Sequence, residues 1–351
     1  MTRKIIAFSL VLTLNLVGVT TYAQFKDQKV IIKSAAVSHT GKLYVSNRHG
    51  NIQLVSWDKD SVVMTARING QSKSLAKLHE TMAKTNVEFR QNGNTINIAT
   101  LIAETTFDRS LTEIKNLAGS QNEITIDYTI SVPKNLKISA SNQFGDIYLN
   151  NHSGELNLEI SHGNIRANNL NKVAYLKSNF GNIYISDVGD LKGNLLFSEM
   201  DIEQAISLSL SGKSTTYEIG NVNMLQINTN GDKLNIDKVS NLKIAGNLSK
   251  ISIDKLSKSA DINLKYGKVK IKRIEKEVCS FTANTTRTNF DIGISPSLIF
   301  NLDGIIAETD VTSLNPSIKI KRADGVLEGN AGQGSSCTFQ FNCQKSSIIF
   351  R

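Results

Sequence analysis

The side chains that could carry acid–base chemistry are few and scattered in this sequence. Its five histidines are His39, His49, His79, His152 and His162. The nearest groups of carboxylates are Asp187 with Asp190, and Glu199 with Asp201 and Glu203. Paired carboxylates can serve as general acid and base, but this spacing is more typical of solvated turns. Histidines and cysteines nowhere share the spacing of a zinc site, so we expect no catalytic residue, no metal and no cofactor.

The three cysteines do not suffice for a disulfide-stapled scaffold. Cys337 and Cys343 could pair across a turn near the C-terminus. Cys279 directly follows Val278, and this context predicts a small buried apolar residue.

Positive charge is concentrated in one part of the chain. The window 231–276 holds 12 basic and 5 acidic residues, an excess of seven. Without Arg3 and Lys4, which fall in a leader described below, the chain holds 38 basic and 31 acidic residues. The window therefore accounts for the whole excess, and the rest of the chain is balanced.

Alternation within this window suggests that the charges share a surface. Lys268, Lys270 and Lys272 alternate with Val269 and Ile271, which would place the lysines on one outward face of a strand. Such a face could bind acidic glycans, lipopolysaccharide phosphates or an acidic envelope protein. It could equally be a solvated face that opposes sheet aggregation. The candidate binding residues are Lys243, Lys250, Lys265, Lys268, Lys270, Lys272 and Arg273.

The elements that must position these residues are best defined over Leu136–Val188. Gly145, Gly163 and Gly181 recur at two equal intervals of eighteen positions, and each is followed by Asp or Asn and then Ile. Alternation beyond the glycine indicates a strand, and a fixed short period is typical of a solenoid. A unit of this length is too short for a βαβ motif but suits one coil of a parallel β-solenoid. A left-handed hexapeptide helix is excluded, because Ser153, Asn171 and Gly189 stand where aliphatic residues are required.

Stacked coils would place equivalent residues in columns. Phe144, His162 and Phe180 form one predicted column, in which His162 is a stacked filler rather than a base. A second column would hold Tyr148, Arg166 and Tyr184, with the guanidinium on the ring faces. The outward Asn, Ser and Tyr columns could bind neutral sugars or could be ladders that stabilise the stack. Asp187 has no stacked acidic partner in these coils, which disfavours a β-helix enzyme.

The remaining chain divides into four predicted parts. Residues 1–23 have the charged, apolar and small-residue regions of a cleaved signal peptide, and we expect no transmembrane span after its removal. Residues 24–135 would form a β-rich N-terminal cap with a helix over 72–84, begun by Ser72 or Ser74. Residues 136–325 would form the solenoid, continuing after Val188 at Ile202, Ile219, Leu234, Ile251, Val269 and Phe290. Residues 326–351 would form closing strands.

The sequence resembles a family of exported β-strand-repeat proteins of Bacteroidota. The resemblance is carried by residues 46–52, by residues 127–133 and by the three Phe/His-Gly-Asp/Asn-Ile copies, and it covers roughly 29–330. Members are labelled adhesin-domain or auto-transporter adhesin head proteins and have no established catalytic residue. The resemblance implies a right-handed parallel β-helix in the cell envelope, at the periplasm or cell surface.

These observations together predict an exported, non-enzymatic, all-β solenoid that serves as an adhesin or envelope scaffold. Its partners would be acidic glycans, lipopolysaccharide or envelope proteins, contacted through a repeated outer face. Export and the lack of a recognition motif argue against nucleic acid. The alternative function is that of a carbohydrate-active β-helix enzyme, a polysaccharide lyase or hydrolase.

Overall fold

The protein is a parallel β-solenoid of about nine coils with about 18 residues per coil, as the sequence predicts. The computed structural model describes residues 24–102, 122–333, 335 and 337–351. The predicted signal peptide and the segment 103–121 lie outside these residues. Within them the chain has 24 strands and one short helix.

The first elements build the N-terminal end of the stack. They are β1 (Phe25–Ala36), β2 (Lys42–Arg48), β3 (Ile52–Trp57), β4 (Ser61–Ser72), α1 (Leu75–Lys84), β5 (Thr85–Asn92), β6 (Thr95–Ile102), β7 (Asn122–Pro133) and β8 (Lys137–Gln143). The helix starts later than predicted, because Ser74 is its N-cap and its Oγ accepts a hydrogen bond from the Lys77 amide. Leu78 and Met82 are its buried residues and pack against Gly70 of β4.

The parallel stack already includes strands that precede residue 136. β2 pairs in parallel with both β6 and β8, and β3 pairs with both β7 and β9, which begins at Ile147. The coil formed by β2 and β3 therefore lies inside the stack, although it comes first in sequence. β1, β4 and β7 form an antiparallel sheet beside it, and β5 and β6 form a hairpin.

Seven long strands form the centre, each following almost a full coil. They are β9 (Ile147–Ser161), β10 (Asn164–Asn179), β11 (Asn182–Leu196), β12 (Glu199–Lys213), β13 (Thr216–Asn230), β14 (Lys233–Asn247) and β15 (Lys250–Lys265). Alternating aliphatic residues point inward and are buried, and each buried Ile or Leu contributes about 1.5–3 kcal/mol to folding. In β15 the alternation holds over Lys250–Asp254 and again over Ser259–Lys265. We call these stretches, and their equivalents in other coils, the first and second sides; Lys255–Lys258 forms the bend between them.

The register after Val188 corrects one detail of the sequence interpretation. Ile183 aligns with Met200, and Met200 aligns with Tyr217 and then with Leu234. Ile202 and Ile219 instead belong to the next inward column. The residues predicted to continue one column therefore belong to two columns, and the change falls between Ile219 and Leu234. The reason is that the buried Met200 and Tyr217 stand where we expected an aliphatic residue.

The C-terminal strands do not close the stack from outside. They are β16 (Lys268–Ile274), β17 (Ser280–Thr286), β18 (Asn289–Ile294), β19 (Phe300–Ala307), β20 (Asp310–Ser313), β21 (Ile318–Ala323), β22 (Val326–Ala331), β23 (Thr338–Gln344) and β24 (Ser347–Phe350). β23 lies between β17 and β19, and β24 lies between β18 and β20. The last coil in sequence is thus inserted, and the hairpin of β21 and β22 pairs antiparallel with β19 at the end.

A disulfide joins the inserted coil to its neighbour. It links Cys279 to Cys337, at the starts of β17 and β23, so the proposed pairing of Cys337 with Cys343 is wrong. Cys279 is exposed rather than buried, whereas Cys343 is a buried free thiol, and burial raises its pKa. The inward position belongs to Cys343 because it falls in the buried phase of β23.

Candidate functional site

The first side of β14, β15 and β16, with the adjoining bend, carries a dense set of positive charges. Lys233, Lys250 and Lys268 occupy equivalent positions in successive coils. Lys238, Lys255 and Arg273 form a second column at the bend. Coils are about 4.8 Å apart and alternate residues about 6.6 Å apart, so the charges form a regular array.

We call this surface the basic face. It comprises the first side and the first position of the bend, and its basic members are Lys233, Lys238, Lys250, Lys255, Lys268, Lys270, Lys272 and Arg273, all of them exposed. Asp237 and Asp254 are its acidic members. The face therefore carries a net charge of +6 over three coils.

Two ion pairs partly neutralise the basic face. Lys272 Nζ lies 2.7 Å from Asp254 Oδ1 in the preceding coil. At the edge, Lys233 Nζ lies 4.0 Å from Glu218 Oε1. Both are exposed pairs of the kind that contributes about 0–1 kcal/mol to stability, so their main effect is on the charge offered to a ligand.

The structure brings five of the seven predicted binding residues together. Lys250, Lys268, Lys270, Lys272 and Arg273 lie on the basic face. Lys243 and Lys265 do not, since both lie on the second side, where Lys243 aligns with Asp261 and Lys265 with Thr286.

Sequence reasoning missed three members of the face: Lys233, Lys238 and Lys255. The signal was present in their spacing. Lys233, Lys250 and Lys268 recur once per coil, as do Lys238, Lys255 and Arg273. A search for lysines at the coil period would have separated these columns from Lys243 and Lys265.

The carboxylates considered for catalysis lie mostly in open positions. Glu199, Asp201 and Glu203 are exposed on β12, and Asp201 aligns with Glu218 of the next coil. Asp187 aligns with Gln204, and Asp190 with Ser207. Neither Asp187 nor Asp190 therefore aligns with a carboxylate of the following coil. A two-carboxylate site between these coils would need such an alignment.

His152 is a buried histidine at the junction of β3, β8 and β9. Its Nδ1 lies 3.0 Å from Ser56 Oγ and its Nε2 lies 2.7 Å from the Leu136 carbonyl oxygen. A neutral ring satisfies both contacts when Nε2–H donates to Leu136 and Nδ1 accepts from Ser56. Burial lowers the pKa of His152 and outweighs the Leu136 carbonyl contact, which acts in the opposite direction. These contacts give the ring a structural role at this junction.

Each coil turns a corner where its second side ends, and the residue at that corner has a positive φ angle. These residues stack in one column along the solenoid. In successive coils the corner residues are His49, Phe144, His162, Phe180, Phe197, Ser214, Gly231, Leu248, Tyr266 and Arg287, with φ between 50° and 69°. For a non-glycine residue this conformation costs about 1–2 kcal/mol. The fold therefore repeats one strained position along most of its length.

The predicted columns of aromatic and cationic residues are present. Phe144, His162 and Phe180 stack at the corner, with centroids 5.2 Å and 5.1 Å apart. Arg166 Cζ lies 5.5 Å from the centroid of the Tyr184 ring. His49 and Phe197 extend the corner stack at both ends, an extension that the sequence interpretation missed.

Neither a metal cluster nor a spanning helix is found in the part of the chain that the structure describes. None of its histidine, cysteine and acidic residues form a group of three or more that could hold a metal ion. Within the same residues, no helix has the length and apolar character needed to cross a membrane.

Comparison with known proteins finds similar solved structures at low identity only. No family model and no curated protein matches the chain. A solved "putative adhesin" from Bacteroides fragilis is 12% identical, over 75% of this chain and 97% of that one, with a TM-score of 0.34. A "putative cell adhesion protein" from Clostridium sporogenes is 9% identical, over 92% and 99%, with a TM-score of 0.21. A "putative lipid binding protein" from Parabacteroides distasonis is 10% identical, over 75% and 96%, with a TM-score of 0.38.

Two of these three descriptions agree with the resemblance seen in the sequence. The identities and TM-scores carry no argument about function, which has to come from the surfaces of the molecule. The chain is similar to adhesin-like proteins of unknown function, and it presents a basic face on a β-solenoid.

Proposed function

We propose that this protein is an exported, non-enzymatic adhesion scaffold whose basic face binds polyanionic glycans. The ligand chemistry is a chain of carboxylate, sulfate or phosphate groups, as in acidic polysaccharides and in lipopolysaccharide. The observation that carries the proposal is the register that stacks Lys233, Lys250 and Lys268 beside Lys238, Lys255 and Arg273.

The stacking is electrostatically unfavourable in the free protein. Like charges on adjacent strands repel and destabilise the sheet, and the six residues of the two columns are all cationic. A polyanion lying across the coils would relieve this repulsion at several points at once. Because each contact is weak and exposed, affinity would come from many contacts along a rigid surface.

Two further observations support the exported scaffold. Disulfides persist in oxidising compartments, and the Cys279–Cys337 bond lies at an exposed cysteine of the solenoid end. The stack itself is rigid, since successive long strands are hydrogen-bonded along their lengths. Such a body suits the display of a repeated surface more than the closure of a catalytic cleft.

The test is binding to immobilised lipopolysaccharide, its dephosphorylated form, polygalacturonate and neutral dextran. The variant is Lys250→Gln/Lys268→Gln/Lys270→Gln. The matched control is Lys213→Gln/Lys243→Gln/Lys265→Gln, which removes the same charge from exposed positions of the second side. Phosphate-dependent and uronate-dependent binding are distinguished by the first three ligands.

We expect the face variant to bind polyanions about tenfold to a hundredfold more weakly at low salt, because each lysine near an anionic surface contributes about 1 kcal/mol. The control should keep most of the affinity. Equal loss in both variants, or no binding of any polyanion by the unmodified protein, would remove the basic face as a site.

A further inference from the structure

The corner column contains an outward-facing ladder of five rings: His49, Phe144, His162, Phe180 and Phe197. Successive centroids are 5.1–5.2 Å apart and the planes are within 10° of parallel. Each ring comes from a different coil, so the ladder runs along the solenoid axis across five stacked coils. Phe180 is 54% exposed and Phe197 is 50% exposed, although both are stacked.

The backbone does not require these rings. Ser214 and Gly231 occupy the corner of the next two coils at φ of 53° and 69°, and the coil continues through them unchanged. Two effects disfavour Phe at this position. Bulky residues rarely adopt a positive φ, and the exposed ring leaves apolar surface in water. Strained and exposed apolar residues that the fold can do without are a mark of a binding surface.

The ladder is bordered by polar side chains. Two positions after each ring stands a carboxamide or carboxylate: Asn51, Asp146, Asn164, Asn182 and Glu199. Asp146 Oδ1 accepts hydrogen bonds from both the backbone and the side-chain amide of Asn164, which fixes this border in place. On the other edge, Gln143, Ser161 and Asn179 precede three of the rings.

This arrangement matches the chemistry of a sugar chain. A pyranose ring has C–H groups that pack on aromatic surfaces and hydroxyl groups at its rim that need hydrogen-bond partners. Phe180 and Phe197 stay about half exposed within the stack, which leaves apolar ring surface for the sugar, and the bordering amides can donate and accept. The carboxylates of Asp146 and Glu199 would repel an anionic chain, so the ligand class differs from that of the basic face.

We propose that this corner ladder is a second binding site, which takes a neutral polysaccharide extended along the solenoid axis. Each ring contributes one weak apolar contact, and a polymer spanning five coils accumulates them. Binding is insensitive to salt, because no ion pair is formed. The site therefore operates independently of the basic face.

The test is affinity electrophoresis of the full chain through gels containing hydroxyethyl cellulose, mannan, xylan or laminarin, at low and high salt. The variant is Phe180→Ser/Phe197→Ser, which installs the residue that the corner already carries at Ser214. Leu248→Ser is the matched control, since Leu248 is a corner residue with positive φ and 63% exposure but has no ring. Flotation with phosphatidylcholine vesicles tests a lipid partner instead.

At least one neutral polymer should retard the protein equally at both salt concentrations. The double variant should bind that polymer about tenfold or more weakly, by analogy with bases stacked on aromatic side chains, and Leu248→Ser should bind normally. Phe197→Ser alone, at the end of the ladder, serves if the double variant does not fold. The proposal is overturned if no neutral polymer retards the protein, if Phe197→Ser and the double variant bind normally, or if only vesicles are bound. Loss of the basic-face lysines should leave this binding intact, which separates the two proposals.

Discussion

Lys272 and Asp254 lie in consecutive coils of the basic face, with Nζ 2.7 Å from one carboxylate oxygen and 2.8 Å from the other. Both residues belong to the face, so the ion pair lies within the array of positive charges. One of the eight cations is therefore already neutralised in the free protein.

Removing this carboxylate should strengthen polyanion binding. In Asp254→Asn the Lys272 ammonium becomes available and the face gains one net positive charge. We expect the Kd for polygalacturonate to fall about two- to fivefold at low salt, within the range of an exposed ion pair. Asp261→Asn makes the same charge change on the second side and should leave the Kd nearly unchanged. Equal strengthening by both variants would mean that net charge, rather than the face, governs binding.

The Cys279–Cys337 disulfide should stabilise the C-terminal insertion. It joins cysteines 58 residues apart in sequence, and removing such a bond typically costs about 2–5 kcal/mol. We expect Cys279→Ser/Cys337→Ser to lose about 3 kcal/mol in urea unfolding, with faster amide exchange in β23 and β24. Cys343→Ser should retain the disulfide in non-reducing peptide mapping. Recovery of a Cys337–Cys343 peptide from the unmodified protein would contradict the assigned pairing.

Two glycines at the same corner should respond differently to alanine. A Cβ on Gly163 would overlap the Gly145 carbonyl oxygen of the preceding coil, whereas a Cβ on Gly267 would meet its nearest neighbours at 3.4 Å. Because a stacked backbone cannot yield easily, Gly163→Ala should lower the free energy of unfolding by about 3 kcal/mol.

Gly267→Ala should change it by less than about 1 kcal/mol. Ser249 and Thr288 already occupy this position in adjoining coils, which supports that tolerance. Similar thermal shifts for the two variants would show that the close approach at Gly163 is not a constraint.

Stability should fall in acid partly through His152. Burial places its folded pKa below the value in the unfolded chain. The unfolded state therefore binds a proton that the folded state resists, and stability is lost as the pH falls from about 6.5 toward the folded pKa. The full contribution is present above that window.

Urea unfolding at pH 8 and pH 5 measures the effect. His152→Gln should show a smaller difference between the two pH values than the unmodified protein. An unchanged difference would place the acid sensitivity in other groups, and His79→Gln, on the exposed surface of the helix, serves as a control.

The repeated core could be predicted from sequence wherever successive coils carry the same residue type at the same position. Gly163 and Gly181 stand after the corner residue, so the regular period and the Phe144–His162–Phe180 column were found. After Val188 the marker changes, since Ser198, Thr215 and Asp232 take the place of the glycine. The coils also become slightly shorter, and the inward column of Ile183 was lost at Met200 and Tyr217.

The two ends and the disulfide required the structure. Nothing local in β2 or β23 indicates that each is inserted between strands distant in sequence. For the same reason Cys343, nearest to Cys337 in sequence, was the pairing considered, although Cys279 lies beside Cys337 in space. Lys243 and Lys265 could not be separated from the other candidates, because alternation along a strand does not reveal on which side of the bend a residue lies.

The salt dependence of polyanion binding tests the central proposal most directly. Heparin serves as the probe, with the unmodified protein, the face variant Lys250→Gln/Lys268→Gln/Lys270→Gln and the second-side variant Lys213→Gln/Lys243→Gln/Lys265→Gln compared over a range of salt. Each lost contact should reduce the slope of log Kd against log salt by about 0.7–0.9. We predict a reduction of about two to three for the face variant and almost none for the second-side variant. The same slope in all three proteins would contradict the assignment of the basic face as the binding site.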